Sequence, residues 1–242
     1  MLKLLKSSFN KTNDCIILAT PMILIILITQ LYVNSFKEHV SISLFGLFLF
    51  YITLWIWLSG AAAGWFYMVK KALSLSDKIF VYDNDRIEAL KNLFASLYRG
   101  VGRLFIPLLF AFAILFFIRI IIAVVLLYLL SFPEYVKTVT FSFMIIFPLF
   151  LYWFMFWIPE IVYSEKNPIK ALVNSVKKCF ITIKKSFLIY SIIYVMSIVL
   201  TSSLSYFQFK PLLYFAILIF SYYFILYSVI LIFNHYEESF LK

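Results

Sequence analysis

Residues 167–186 read NPIKALVNSVKKCFITIKKS, and the fold is decided by how this stretch is read. It is too polar to cross a bilayer and too regular to be a plain loop. Ile169, Leu172, Val173, Val176, Cys179, Phe180 and Ile183 fall at the i, i+3, i+4, i+7 spacing of one helix face. Lys170, Asn174, Lys177, Lys178, Lys184 and Lys185 occupy the other face. Asn167 suits the N-cap, where its side-chain oxygen can accept from free backbone N–H groups. Pro168 suits the first helical position, where an N–H would have no partner anyway. A helix with one apolar face and one lysine face lies flat at a membrane surface. Very hydrophobic segments stand on both sides of it.

The whole chain agrees. Its 242 residues are 64% hydrophobic, 21% aromatic and only 13% charged. Soluble domains average about 45–50% apolar and about 25% charged, so a soluble globule could not bury this much apolar surface. The apolar runs are long and continuous, unlike the short alternating segments of a β-barrel. The class is an all-α polytopic membrane protein. The net charge of +10 comes from bases that flank apolar runs. It therefore predicts orientation and attraction to anionic lipid headgroups, and no nucleic-acid module is visible. The two cysteines, Cys15 and Cys179, form no CxxC pair and no zinc spacing, so no disulfide is expected.

Working outward from 167–186, six spans are expected at about 15–33, 41–69, 104–131, 138–163, 187–206 and 211–234. Residues 1–14 read as a short basic tail. The run after it reads as an uncleaved first helix with a kink near Thr20-Pro21. Short turns are expected at 34–40, which holds His39, and at 131–137. Gly60-Ala-Ala-Ala-Gly64 has the small-xxx-small spacing of a packing groove. Six spans put both termini on one side with connectors 70–103 and 164–186. That side holds 17 of the 21 bases, and the other holds Lys37, Lys137 and Lys210. The asymmetry predicts a multi-pass cell-membrane protein with both termini cytoplasmic.

The two connectors resemble each other. Ile87-Glu-Ala-Leu-Lys-Asn92 aligns with Ile169-Lys-Ala-Leu-Val-Asn174 at an offset of 82, and the register continues to Arg103 over Lys185. Asp85 stands where Asn167 stands, and Glu88 completes a capping box. Each connector is thus read as a basic interfacial helix, about 85–103 and 167–186, in a parallel repeat of span, surface helix, span.

Pro159-Glu160 at the end of span four, followed by Ser-Glu-Lys-Asn-Pro-Ile-Lys-Ala-Leu-Val-Asn-Ser at 164–175, resembles uncharacterised six-span membrane proteins of the YciC-like type. It is also similar to the membrane domain of some glycerophosphodiester phosphodiesterases. The specific residues of the resemblance lie in 160–187 and, more weakly, in 85–105. It implies a membrane fold and little chemistry, because catalysis in the phosphodiesterases sits in a separate soluble domain.

Few motifs along the chain point to chemistry. With five glycines, only the Gly100-Val-Gly102 fragment hints at a phosphate cradle, and there is no Walker sequence. No cofactor and no enzyme activity are expected. Arg119 is the one clear charge inside a span and costs about 2.5–3.5 kcal/mol at mid-bilayer. With Gln30 it forms the candidate intramembrane polar site. The candidate lipid-surface contacts are Lys170, Lys177, Lys178, Lys184, Lys185, Arg99 and Arg103. Pro159 and Glu160 form a candidate interface turn, Glu160 pairing with Arg103 or Lys166. The dense aromatic run Tyr152 to Trp157 reads as an interfacial belt. The expected function is a non-catalytic membrane scaffold, accessory or lipid-interacting factor. The alternative is a small permease or lipid-handling transporter that uses Arg119. The expected partner is an anionic bilayer, with a membrane-protein partner or a second copy left open.

Overall fold

A computed structural model describes residues 1–39, 44–79, 83–130 and 147–241, and every regular element among them is a helix. In chain order these are α1 (Leu2–Asp14), a 3-10 turn (Ile16–Leu18), α2 (Ala19–His39), α3 (Leu44–Ile79) and α4 (Asp83–Leu130). There follow a helical stretch at 147–153, α5 (Trp157–Tyr163), α6 (Pro168–Ile181), α7 (Ile183–Tyr206) and α8 (Pro211–Phe240). Five of these helices, α2, α3, α4, α7 and α8, are long and apolar enough to cross a membrane. The expected turn at 131–137 and the first part of the fourth span, to residue 146, lie outside the described residues, whereas residues 34–39, expected as a turn, are the helical end of α2.

Several boundaries differ from expectation. Residues 1–14 are not a tail: α1 docks Leu4, Ser8 and Thr12 into the bundle. Those positions recur every four residues, and two are small hydroxyls, so no apolar stripe marks the buried face. The bend expected at Thr20-Pro21 lies just ahead of it, where Leu18 N donates to Cys15 O at 2.9 Å. Pro21 then sits in the first turn of α2, where no carbonyl needs its missing N–H. The surface segment 85–103 and the span after it form one continuous helix, α4, with Pro107 inside it. The helix expected as the fourth span is interrupted at 154–156, where Phe154 N and Met155 N bond three residues back, to Leu151 O and Tyr152 O. Pro159 supplies the reason: it has no N–H for the Met155 carbonyl, and its ring crowds that carbonyl.

α3 and α4 form a tight antiparallel pair, and its pivot is glycine on glycine. A Cβ added to Gly100 would lie 2.6 Å from Tyr67 Cβ and 2.7 Å from the Ala63 carbonyl oxygen. One added to Gly64 would lie 2.8 Å from Leu97 Cδ2. The packing groove read at 60–64 is therefore real, but its close pair is Gly64 with Gly100. Gly60 meets only Phe105, at an ordinary 3.8 Å.

The core gathers at the end of the bundle that holds α1, α5 and α6. One cluster joins Cys15, Leu18, Met68, Leu104, Leu108, Trp157, Ile161 and Phe233. A second joins Leu4, Phe156, Cys179, Ile189, Leu231 and Tyr236. α8 shows the gradient: Leu226, Ile230 and Tyr236 are buried, whereas Leu212 and Phe215 near its start are exposed. Apolar side chains in contact with the surroundings are what a bilayer, as solvent, permits.

Candidate functional site: two grooves on one side of the bundle

The first groove lies where α5, α6 and α8 meet. Asn167 caps α6 as expected, its Oδ1 accepting from Ile169 N at 3.0 Å and Lys170 N at 3.2 Å. The helix then presents three sides. Ala171, Ser175 and Cys179 are buried against the bundle. Ile169, Val173 and Phe180 form an exposed apolar edge, and Lys170 and Lys177 stand exposed beside it. The apolar face read from the sequence is thus split. Only Cys179 is fully buried in protein, because small residues let α6 approach its neighbours closely.

Glu160 is the centre of this groove and is only 2% exposed. Its Oε2 accepts from Lys178 Nζ at 2.6 Å and from Tyr236 OH at 2.5 Å, and its Oε1 from Asn174 Nδ2 at 3.1 Å. Lys178 also donates to Tyr236 OH at 2.6 Å and lies 4.4 Å from that ring's centroid. Burial would push the Lys178 ammonium down, but the hydrogen bonds to Glu160 and Tyr236 outweigh it and hold it above the usual lysine value. Burial also pushes the neighbouring Cys179 thiol up to about 12. Alongside, Tyr163 OH donates to Glu237 at 2.5 Å, and Lys70 donates to Val162 O at 3.0 Å. Trp157 Nε1 donates to Pro168 O at 2.8 Å and closes the turn between α5 and α6. Each polar group here is used by another, so the arrangement acts as a clamp.

The second groove is open. A cavity of about 280 Å³ lies between α3 and α4 and is lined by Tyr67, Lys71, Leu75, Asn92, Ser96 and Arg99. The lining positions step along facing stripes, 67, 71 and 75 on α3 and 92, 96 and 99 on α4. Arg103, one turn further on, donates to Tyr67 OH at 2.9 Å. Ser96 donates to its own helix at Leu93 O, 2.6 Å away. Lys71 and Arg99 are both exposed at the cavity. Among the described residues the one ion pair is Lys178 with Glu160, so neither cation of the open groove has a carboxylate.

The candidate residues therefore separate. Glu160 pairs with Lys178 rather than with Arg103 or Lys166, because α6 lies directly over α5 and turns Lys178 inward. Lys178 is accordingly not free for lipid. Lys170, Lys177, Lys184 and Lys185 are exposed, Arg99 lines the open groove, and Pro159 is buried in the turn. Arg119 and Gln30 are exposed on separate helices, so they enclose no common polar site. Sequence reasoning missed Lys71, Tyr67, Asn174 and Tyr236. The four-residue spacing of Tyr67, Lys71 and Leu75 was the signal available for two of them. Among the described residues no group of three or more His, Cys, Asp or Glu could hold a metal ion. No family model, no curated protein and no solved structure matches this chain.

Proposed function

We propose that this chain is a non-catalytic six-span protein of the cell membrane. Both termini and the two basic surface segments lie on the cytoplasmic side, where the protein engages anionic lipid as a scaffold, accessory or lipid-organising factor. The observation that supports this best is the three-sided α6. Its small residues dock on the protein, while Ile169, Val173 and Phe180 remain exposed beside Lys170 and Lys177. An apolar edge next to a lysine edge is the arrangement that rests at the boundary between acyl chains and headgroups. Fixing such a helix to the bundle removes the entropy that a free amphipathic helix loses on binding.

The parallel repeat belongs to the same proposal. At the offset of 82, Ala89 and Ala171, Leu93 and Ser175, Leu104 and Ser186, and Pro107 and Ile189 are all buried. Ile87 and Ile169, Tyr98 and Phe180, and Arg103 and Lys185 are all exposed. Equal burial at equal register supports two copies of one unit, and it supports the likeness to YciC-like proteins only in so far as they share that layout. The permease reading rests on the repeat and on Arg119, which is exposed on α4.

The test replaces Lys170, Lys177, Lys184 and Lys185 with Gln and reconstitutes the protein in mixed bilayers. Spin-labelled phosphatidylglycerol should associate with the wild type more strongly than spin-labelled phosphatidylcholine, and the variant should lose most of that preference. An unchanged preference refutes the proposal.

A further inference from the structure

We propose that the open groove between α3 and α4 is a binding site for the phosphate headgroup of a single anionic glycerolipid, whose acyl chain runs along the α4 face from Ile106 to Phe110. The inference rests on the membrane reading above and assigns one lipid to one place.

Three observations carry it. The first is the cavity's chemistry. Lys71 and Arg99 bring two positive charges to its lining, and Asn92 adds amide donors. Tyr67 OH accepts from Arg103, which leaves its own proton to donate. Two cations and two neutral donors around one volume suit a phosphate, which offers several acceptor oxygens. The volume of about 280 Å³ falls just under the roughly 300–1,000 Å³ of sites that enclose a whole drug-sized ligand, so it suits a headgroup.

The second is the comparison with the other groove. There the inward-facing cation, Lys178, is met at 2.6 Å by the chain's own Glu160. The rings of Tyr236 and Phe240 lie 4.4 and 4.9 Å from its ammonium, and Trp157, 1% exposed, closes the turn next to it on Pro168 O. At the offset of 82, the positions of Trp153 and Trp157 are Lys71 and Leu75. One groove thus carries its own anion and its own filling, and the other carries cations around a void.

The third distinguishes a lipid from free phosphate. Residues 92, 96, 99, 103, 106 and 110 share one stripe of α4 by helical spacing. The stripe is polar and basic through Arg103. It continues as Ile106, 64% exposed, and Phe110, 57% exposed. On the facing helix a Cβ added to Gly60 would meet Phe105 at 3.8 Å, and Ile56 is exposed. A polar cavity leading into an apolar track matches an amphiphile, whereas a free anion needs only the cavity.

The experiment uses the full chain in a neutral detergent. Native mass spectrometry would count bound dioctanoyl phosphatidic acid, dioctanoyl phosphatidylcholine and inorganic phosphate, each added alone and in competition. The wild type should retain one phosphatidic acid, and Lys71→Gln/Arg99→Gln should weaken that binding at least tenfold. Asn92→Trp, which fills the cavity mouth while leaving both charges, should also abolish it. Thermal unfolding checks that both variants fold. Failure of inorganic phosphate to compete at equal concentration assigns a lipid; full competition keeps the site but gives it to free phosphate and overturns the acyl track. Equal phosphatidic acid binding by the wild type and both folded variants overturns the site. The α6 lysine variant should retain its single phosphatidic acid even where its general preference for anionic lipid is lost, so the two proposals fail separately.

Discussion

Residues 87–107 and 169–189 can be aligned at an offset of 82 and bury several of the same positions, yet the chain treats them differently. In the first, the surface segment runs straight into the span as part of α4. In the second, the helix breaks at Thr182, with φ −107° and ψ 22°, and restarts as α7. Gly100 occupies the position that corresponds to Thr182 and sits within contact distance of Gly64, so a straight helix can lie against α3. Thr182 has a side chain, and its Oγ1 turns back to Lys178 O at 2.9 Å. The first segment is therefore held by backbone contact between two long helices. The other is held by a buried ion pair that pins a short helix to its neighbours. The same amphipathic pattern can be fixed by either means, and the means chosen decides whether a cavity remains.

That contrast can be broken most forcefully at Glu160. Glu160→Gln leaves the Lys178 ammonium facing the groove without its carboxylate and should cost about 3 kcal/mol. Chemical unfolding in detergent measures it. Glu160→Gln combined with Lys178→Met should recover most of the loss, and if the double variant is as weak as the single one, the pair is not the clamp described. Next in size is Gly100→Ala. Helix propensity favours alanine by about 1 kcal/mol, but the overpacking against Tyr67 and Ala63 should reverse the sign and leave a net loss of roughly 1–2 kcal/mol. Gly102→Ala is the matched control, because a Cβ there meets nothing within 4 Å. It should gain about 0.5–1 kcal/mol.

The smallest effect expected is the dependence on pH. Lys178 is held above its usual value of 10.5 in the folded protein. Its contribution is therefore complete below pH 10.5 and fades as pH rises through the raised value. Melting temperature followed from pH 8 to 12 should fall more for the wild type than for Lys178→Met. Burial also holds the Cys179 thiol up at about 12. A maleimide at pH 8 should accordingly leave Cys179 unlabelled until the protein unfolds.

Much of the fold was legible because it follows from hydropathy and spacing. The long helices, the Asn167 cap, the Pro168 start and the glycine groove all have local signals. What was not legible depends on which helix lies over which. The lysine pattern of α6 marks Lys177 and Lys178 as equivalent, and only the position of α5 beneath it turns one inward and leaves the other exposed. α1 was unreadable for a related reason. Its buried face is Leu4, Ser8 and Thr12, and the partners that make such a face stable, Asn234 among them, lie more than two hundred residues away. Arg119 drew the eye because charge in a span is rare. Lys71 did not, because a base beside a span is common, and its place at a cavity depends on the register of α3 against α4.

The contact between α1 and α8 also bears on how the protein is made. Asn234 accepts from Lys11 at 2.6 Å and donates to Ser8 Oγ at 3.0 Å, and Tyr236 completes the shell around Glu160. α1 and Glu160 both leave the ribosome before α8 does, and domains generally assemble in the order of synthesis. Every insertion intermediate therefore carries an unsealed first helix and an incompletely bonded carboxylate. α8 thus acts as a latch, because its arrival closes both defects together.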